Sequence, residues 1–122
     1  MGYISHNAIV VTSWAEKAIE AAADFAGHLG LQVIGPSEKA MNHYRSLLVC
    51  PDGSKEGWEE SRRSDSLRLA FRHWLNAQRY EDGSSPFEWV EVAYGSDDAN
   101  AEIVTHEWDG NGSDQLTAGD DK

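Results

Sequence analysis

Apolar residues along this chain fall into two kinds of pattern, short dense runs and longer spaced stripes. The run Ala8-Ile9-Val10-Val11-Thr12 is brief and rich in β-branched residues, which predicts a buried strand. Ala15, Ala18, Ile19, Ala22, Phe25, Ala26 and Leu29 then recur at steps of three and four, the signature of one apolar helix stripe. Ser13-Trp14-Ala15-Glu16 reads as an S-x-x-E capping box at the start of that helix, and Gly30 as its left-handed stop. Because the stripe is mostly alanine, the helix can lie close against a sheet.

Leu31 to Ile34 is a second short strand, ended by Gly35-Pro36, and residues 37–43 read as a loop. Tyr44 to Cys50 is a third strand, closed by the turn signal Pro51-Asp52-Gly53. Lys55 to Ser66 is polar all round and reads as a loop entering a helix. Leu67, Ala70, Phe71, Trp74 and Leu75 form the stripe of that second helix, ending near Arg79. After a turn at 81–86, Phe87 to Tyr94 and Ala101 to Trp108 alternate as two strands around a polar hairpin loop at 95–100. The order β-α-β-β-α-β-β predicts an α+β fold. The expected form is a ferredoxin-like split βαβ sandwich, with two helices on one face of a mainly antiparallel sheet. One domain over residues 1–108 is expected. Residues 109–122, rich in Gly, Ser, Asp and Asn, read as a disordered acidic tail.

Charge sharpens this picture. Residues 1–80 carry nine acidic and nine basic side chains, whereas residues 81–122 carry twelve acidic ones and Lys122 alone. The whole net charge of −11 therefore lies in the last third. Such a segment repels nucleic acid and attracts a basic surface. The acidic face expected from it comprises Glu81, Asp82, Glu88, Glu91, Asp97, Asp98, Glu102 and Glu107. Edge protection of the hairpin is the competing explanation for these carboxylates. No apolar run reaches the length of a membrane span, no signal peptide is evident, and one cysteine, Cys50, excludes an internal disulfide. A cytoplasmic protein is expected.

No catalytic motif is present: the chain lacks a Walker loop, G-x-G-x-x-G, H-E-x-x-H and G-x-S-x-G. The five histidines have no metal-ligand spacing, so no metal and no cofactor is expected. Glu59-Glu60, Glu81-Asp82 and Asp97-Asp98 sit in polar stretches where both members ionise, unlike the paired carboxylates of acid–base catalysis. An acid–base pair of His6 with Asp52 or Glu56 is the enzyme reading, ranked below binding. A candidate ligand site gathers His6, Asp52, Ser54, Lys55, Trp58, Arg62 and Arg63, in which arginines would grip phosphate and the tryptophan would stack on a base. The competing explanation is internal pairing: Arg62, Arg63, Arg68 and Arg72 neutralise nearby carboxylates such as Glu59.

The opening Gly2-Tyr3-Ile4-Ser5-His6-Asn7-Ala8-Ile9-Val10-Val11-Thr12-Ser13, the run Pro51-Asp52-Gly53-Ser54-Lys55-Glu56-Gly57-Trp58 and the run Trp89-Val90-Glu91-Val92-Ala93-Tyr94-Gly95 carry a resemblance. Over residues 1–108 the chain resembles a family of small uncharacterised tailed-bacteriophage proteins. The resemblance imports no activity. It implies a phage protein acting inside a bacterial cell, and by association one that binds and blocks a host protein, including a defence protein. The leading expectation is thus an inhibitor or modulator docking on a basic host surface. An oligomeric binder of nucleotides or other small molecules is the alternative.

Overall fold

The computed structural model describes residues 5–51, 59–95 and 102–106. Five strands form one sheet: β1 (Ser5–Ser13), β2 (Val33–Ile34), β3 (Arg45–Val49), β4 (Glu88–Gly95) and β5 (Glu102–His106). Two helices, α1 (Glu16–Leu29) and α2 (Glu59–Ala77), interrupt them. The strand order is β2-β3-β1-β4-β5, and every neighbouring pair is antiparallel. β1 and β2 therefore run the same way with β3 between them. The expected α+β class, with two helices and an antiparallel sheet, is what the chain adopts. The turn at 51–53, the hairpin loop at 95–100 and the tail at 109–122 fall wholly or mostly outside the described residues.

β1 is central because its alternation serves both flanks at once. Ile9, Val11 and Ser13 point to one face and are fully buried there. Leu47 and Val49 of β3, with Phe87 and Trp89 at the start of β4, complete that face. Ile19, Ala22 and Ala26 of α1 cover it, as do Phe71 and Leu75 of α2. Both helices thus share one core. The small residues at 22 and 26 let α1 sit low on the sheet, as the alanine stripe predicts. Aromatic rings tie the helices together: Trp74 stacks on Phe25 of α1 at 5.0 Å, on Phe71 at 6.4 Å, and tilts against Phe87 at 5.9 Å. Such contacts add to the area they bury.

Three local expectations need correction. The capping box at Ser13 does not form. α1 starts at Glu16 with Ala15 as its uncapped N-cap, and the Ser13 hydroxyl is turned inward. It donates to the Pro86 carbonyl at 2.6 Å and accepts from the Ala15 amide at 3.0 Å. Ser13 is a buried strand residue first, so its oxygen bonds across the sheet instead of reaching the first helical turn. Second, α2 begins at Glu59, well before the apolar stripe. Residues 59–77 contain no glycine or proline and are rich in strong helix formers, so the polar turns propagate from the packed ones. Third, α2 stops at Ala77, where the Gln78 side-chain amide donates to the Trp74 carbonyl and Arg79 Nε to that of Asn76. These bonds satisfy free carbonyls at the helix end.

Gly30 ends α1 in the left-handed region, φ 98°, as read from the sequence. At Gly35 the backbone is also left-handed, φ 110°, and a Cβ there would lie 2.9 Å from the Ser46 carbonyl oxygen. That oxygen accepts from the Ser37 amide at 2.8 Å, which locks the exit from β2 onto β3. No described helix is long and apolar enough to cross a membrane.

Phe71 is fully buried beneath Trp74. Replacing it with alanine is expected to cost about 3–5 kcal/mol of unfolding free energy, read from urea denaturation followed by tryptophan fluorescence. A loss under about 1 kcal/mol would show that this core is not packed as described.

Candidate functional site

The largest correction concerns Glu91. It was expected on the outward acidic face, but it is 1% exposed and lies on the helix side of β4. Period-two alternation requires this: Phe87 and Trp89 point into the core, so Glu91 does too. Its Oε2 accepts from Arg68 Nε at 3.2 Å and from Asn7 Nδ2 at 3.2 Å, and its Oε1 accepts from Arg72 Nη1. Arg68, itself buried, also pairs with Asp65 one turn earlier on α2. Arg68 and Arg72 lie four residues apart, so one helix face aims both guanidinium groups at the same carboxylate.

The cause is desolvation. Removing an ion from water costs several kcal/mol, and a buried carboxylate persists only when paired and hydrogen-bonded. Two arginines and two carboxylates, Glu91 and Asp65, sum to zero charge, and Asn7 completes the shell. Both oxygens of Glu91 are committed to side-chain donors of the chain itself. This cluster is structural. The internal pairing weighed for the arginines holds for Arg68 and Arg72.

The other acidic candidates that the structure describes lie at two places along β4. Glu81, Asp82 and Glu88 are exposed where β4 begins, with Glu88 opposite Thr12 of β1. Glu102 lies opposite Ala93, near the other end of β4. Five residues of strand separate these registers, about 17 Å. Asp97, Asp98 and Glu107 lie outside the described residues. Asp82 has a local partner: its Oδ1 accepts from the Ser84 hydroxyl at 2.6 Å and the Ser84 amide at 2.9 Å. These bonds, the hydroxyl's first, hold its carboxyl below the ordinary aspartate range.

Of the candidate ligand set, Asp52, Ser54, Lys55 and Trp58 lie outside the described residues, as does Glu56. Arg62 and Arg63 are exposed on the first turns of α2. His6 is half-buried on the opposite face of the sheet from the helices, tilted against Tyr94 at 5.2 Å. Its Nδ1 is buried without a hydrogen-bond partner among the described residues. No grouping of three or more potential metal ligands occurs among the described residues.

Sequence reasoning passed over two features. One is an open cavity of about 450 Å³ lined by Trp14, Glu16, Lys39, Asn42, His43 and Tyr44. Asn42 and His43 are left-handed, φ 57° and 66°, which bends the loop toward Trp14. Glu16 is held there by Lys39 and Arg45, both at 3.4 Å. The other is the helix-free face of the sheet. A row of Ile34, Leu48, Val10 and Val90 crosses four strands in register. Val92 and Ile103 pair beside it. Ile34 and Ile103 are 61% and 65% exposed, an unusual state for large aliphatic side chains on one face.

No family model matches this chain, and no curated protein or solved structure is significantly similar to it.

Two outcomes are expected. Glu91→Gln leaves two guanidinium groups short of a countercharge and should cost about 3–5 kcal/mol in urea denaturation, whereas Arg68→Met, Glu91→Leu and Arg72→Met combined should recover most of that loss. The Asp82 carboxyl should titrate below the ordinary aspartate range by carbon-detected NMR, and Ser84→Ala, which removes the hydroxyl but keeps the amide donor, should raise it part of the way back. Since folding lowers this pKa, its contribution is present at pH above the unfolded value and is lost as pH falls through the folded one.

Proposed function

We propose that this chain is a small acidic binding protein, encoded by a tailed bacteriophage, that docks on a basic surface of a host protein. It acts in the bacterial cytoplasm and inhibits or modulates that target, host defence proteins being one class of candidate. The observation that carries this reading is the segregation of charge. The net charge of −11 comes entirely from residues 81–122, while the preceding eighty residues sum to zero.

In support, Glu81, Asp82 and Glu88 are exposed together where β4 begins, so part of the surplus reaches solvent at one end of the sheet. Glu91 is withdrawn from the docking surface by its arginines. The committed carboxylate argues for binding over acid–base chemistry. We read the strand order, with β3 lying between β1 and β2 and with β1 between β3 and β4, as the split βαβ, ferredoxin-like arrangement. In that reading β5 is an added strand beside β4.

Tagged protein incubated with bacterial lysate should retain a host protein at about 0.05 M salt and release it near 0.5 M, where exposed charges are screened over a much shorter distance. Substituting Glu81→Lys, Asp82→Lys and Glu88→Lys together should abolish retention while the circular dichroism spectrum stays unchanged. Capture that survives both the salt and the charge reversal would sink the docking reading.

A further inference from the structure

The helix-free face of the sheet carries an aliphatic patch whose outer residues, Ile34 and Ile103, are exposed, and its chemistry identifies what covers it. We propose that two copies of this chain pack these faces together as a homodimer. The row Ile34, Leu48, Val10 and Val90 runs across β2, β3, β1 and β4, and Val92 with Ile103 extends the patch onto β5. No described helix lies on this side, because α1 and α2 share the core on the other.

Charge selects the occupant. Among the described strand side chains on this face there is no Lys or Arg, and the one acid, Glu88, stands at the rim opposite Thr12. A basic partner or a nucleic acid would have to desolvate its charges against aliphatic side chains. A second copy of the same face brings no charge to the centre and satisfies the self-complementarity that a two-fold interface demands.

Area sets the strength. Strands about 4.8 Å apart, with a rise of about 3.4 Å per residue, give the five strands a footprint of roughly 500 Å². Two such faces bring roughly 1,000 Å² together, the threshold that a specific interface clears. The dimer is accordingly weak, in the micromolar range. Each copy carries a net charge of −11, so the pair also repels. Added salt screens that repulsion and tightens the dimer, the reverse of its effect on docking to a basic partner.

Sedimentation velocity on the full chain tests this, from about 1 µM to about 500 µM, a range that brackets micromolar affinity. The expected result is a shift from monomer to twice the monomer mass as concentration rises, at lower concentration in high salt. Ile34→Lys and Ile103→Lys, both at exposed positions, should each weaken association at least about tenfold with unchanged circular dichroism, as expected for a charge buried at an interface. A monomer at every concentration in high salt overturns the proposal. So does a dimer that both substitutions leave intact. Either failure leaves docking through Glu81, Asp82 and Glu88 untouched, since Glu88 stands only at the rim of this face and that reading predicts the opposite salt trend.

Discussion

An ionised carboxylate inside a hydrophobic core is the constraint around which this domain is arranged. Glu91 stands in the layer that holds Phe71, Leu75 and Trp89. It is tolerable there only because Arg68, Arg72 and Asn7 reach it from α2 and β1. A pair of this kind contributes little net stability, since desolvation offsets most of the attraction. Its effect is on alternatives. Sliding α2 along the sheet by one turn, or rotating it, would leave a carboxylate or a guanidinium stranded without water. The aliphatic contacts alone tolerate such slippage; the ionic ones do not. The cluster therefore fixes where α2 lies against β4.

Much of the fold was legible because its patterns are local. β-branched density marked β1, a short run closed by Pro51-Asp52-Gly53 marked β3, and three-four spacing marked α1 down to the glycine that ends it. Legibility failed where a residue belonged to two patterns. Ser13 closes a strand and opens a capping motif, and the strand won because the residue is buried. The polar residues 59–66 read as a loop, yet they are helical by propagation from the packed turns that follow. One residue of the expected acidic face, Glu91, was misplaced for a similar reason. Glu91 was grouped with other acids by its charge, although its spacing from Phe87 and Trp89 had already assigned it to the core. The matching signal was present on α2, where Arg68 and Arg72 interleave with Phe71 and Leu75 in one stripe. A charge in a hydrophobic stripe, on two elements at once, is a pairing signal. Strand order and the bare face of the sheet depend on which distant strands meet, and no local pattern carries that.

The sheet divides its work by face. On the helix side, the described ions and rings are matched internally. The opposite side keeps its aliphatic rows, and Glu81, Asp82 and Glu88 are exposed where β4 begins. In the proposed reading, binding falls to parts of the chain the core does not use, so recognition and stability would not compete for the same residues. Replacements at the exposed acids can retune a partner without disturbing Glu91 and its arginines.

The position of β1 has a consequence for how the molecule comes into being. The strand that holds the middle of the sheet pairs along its full length with β4, joining Ser5 to Gly95. Contacts this distant in sequence slow folding, because a long loop must close before they give any return. Until β4 emerges during synthesis, β1 presents one unsatisfied edge and an uncovered apolar side. The nascent chain is therefore exposed for most of its translation, and its final shape is decided late.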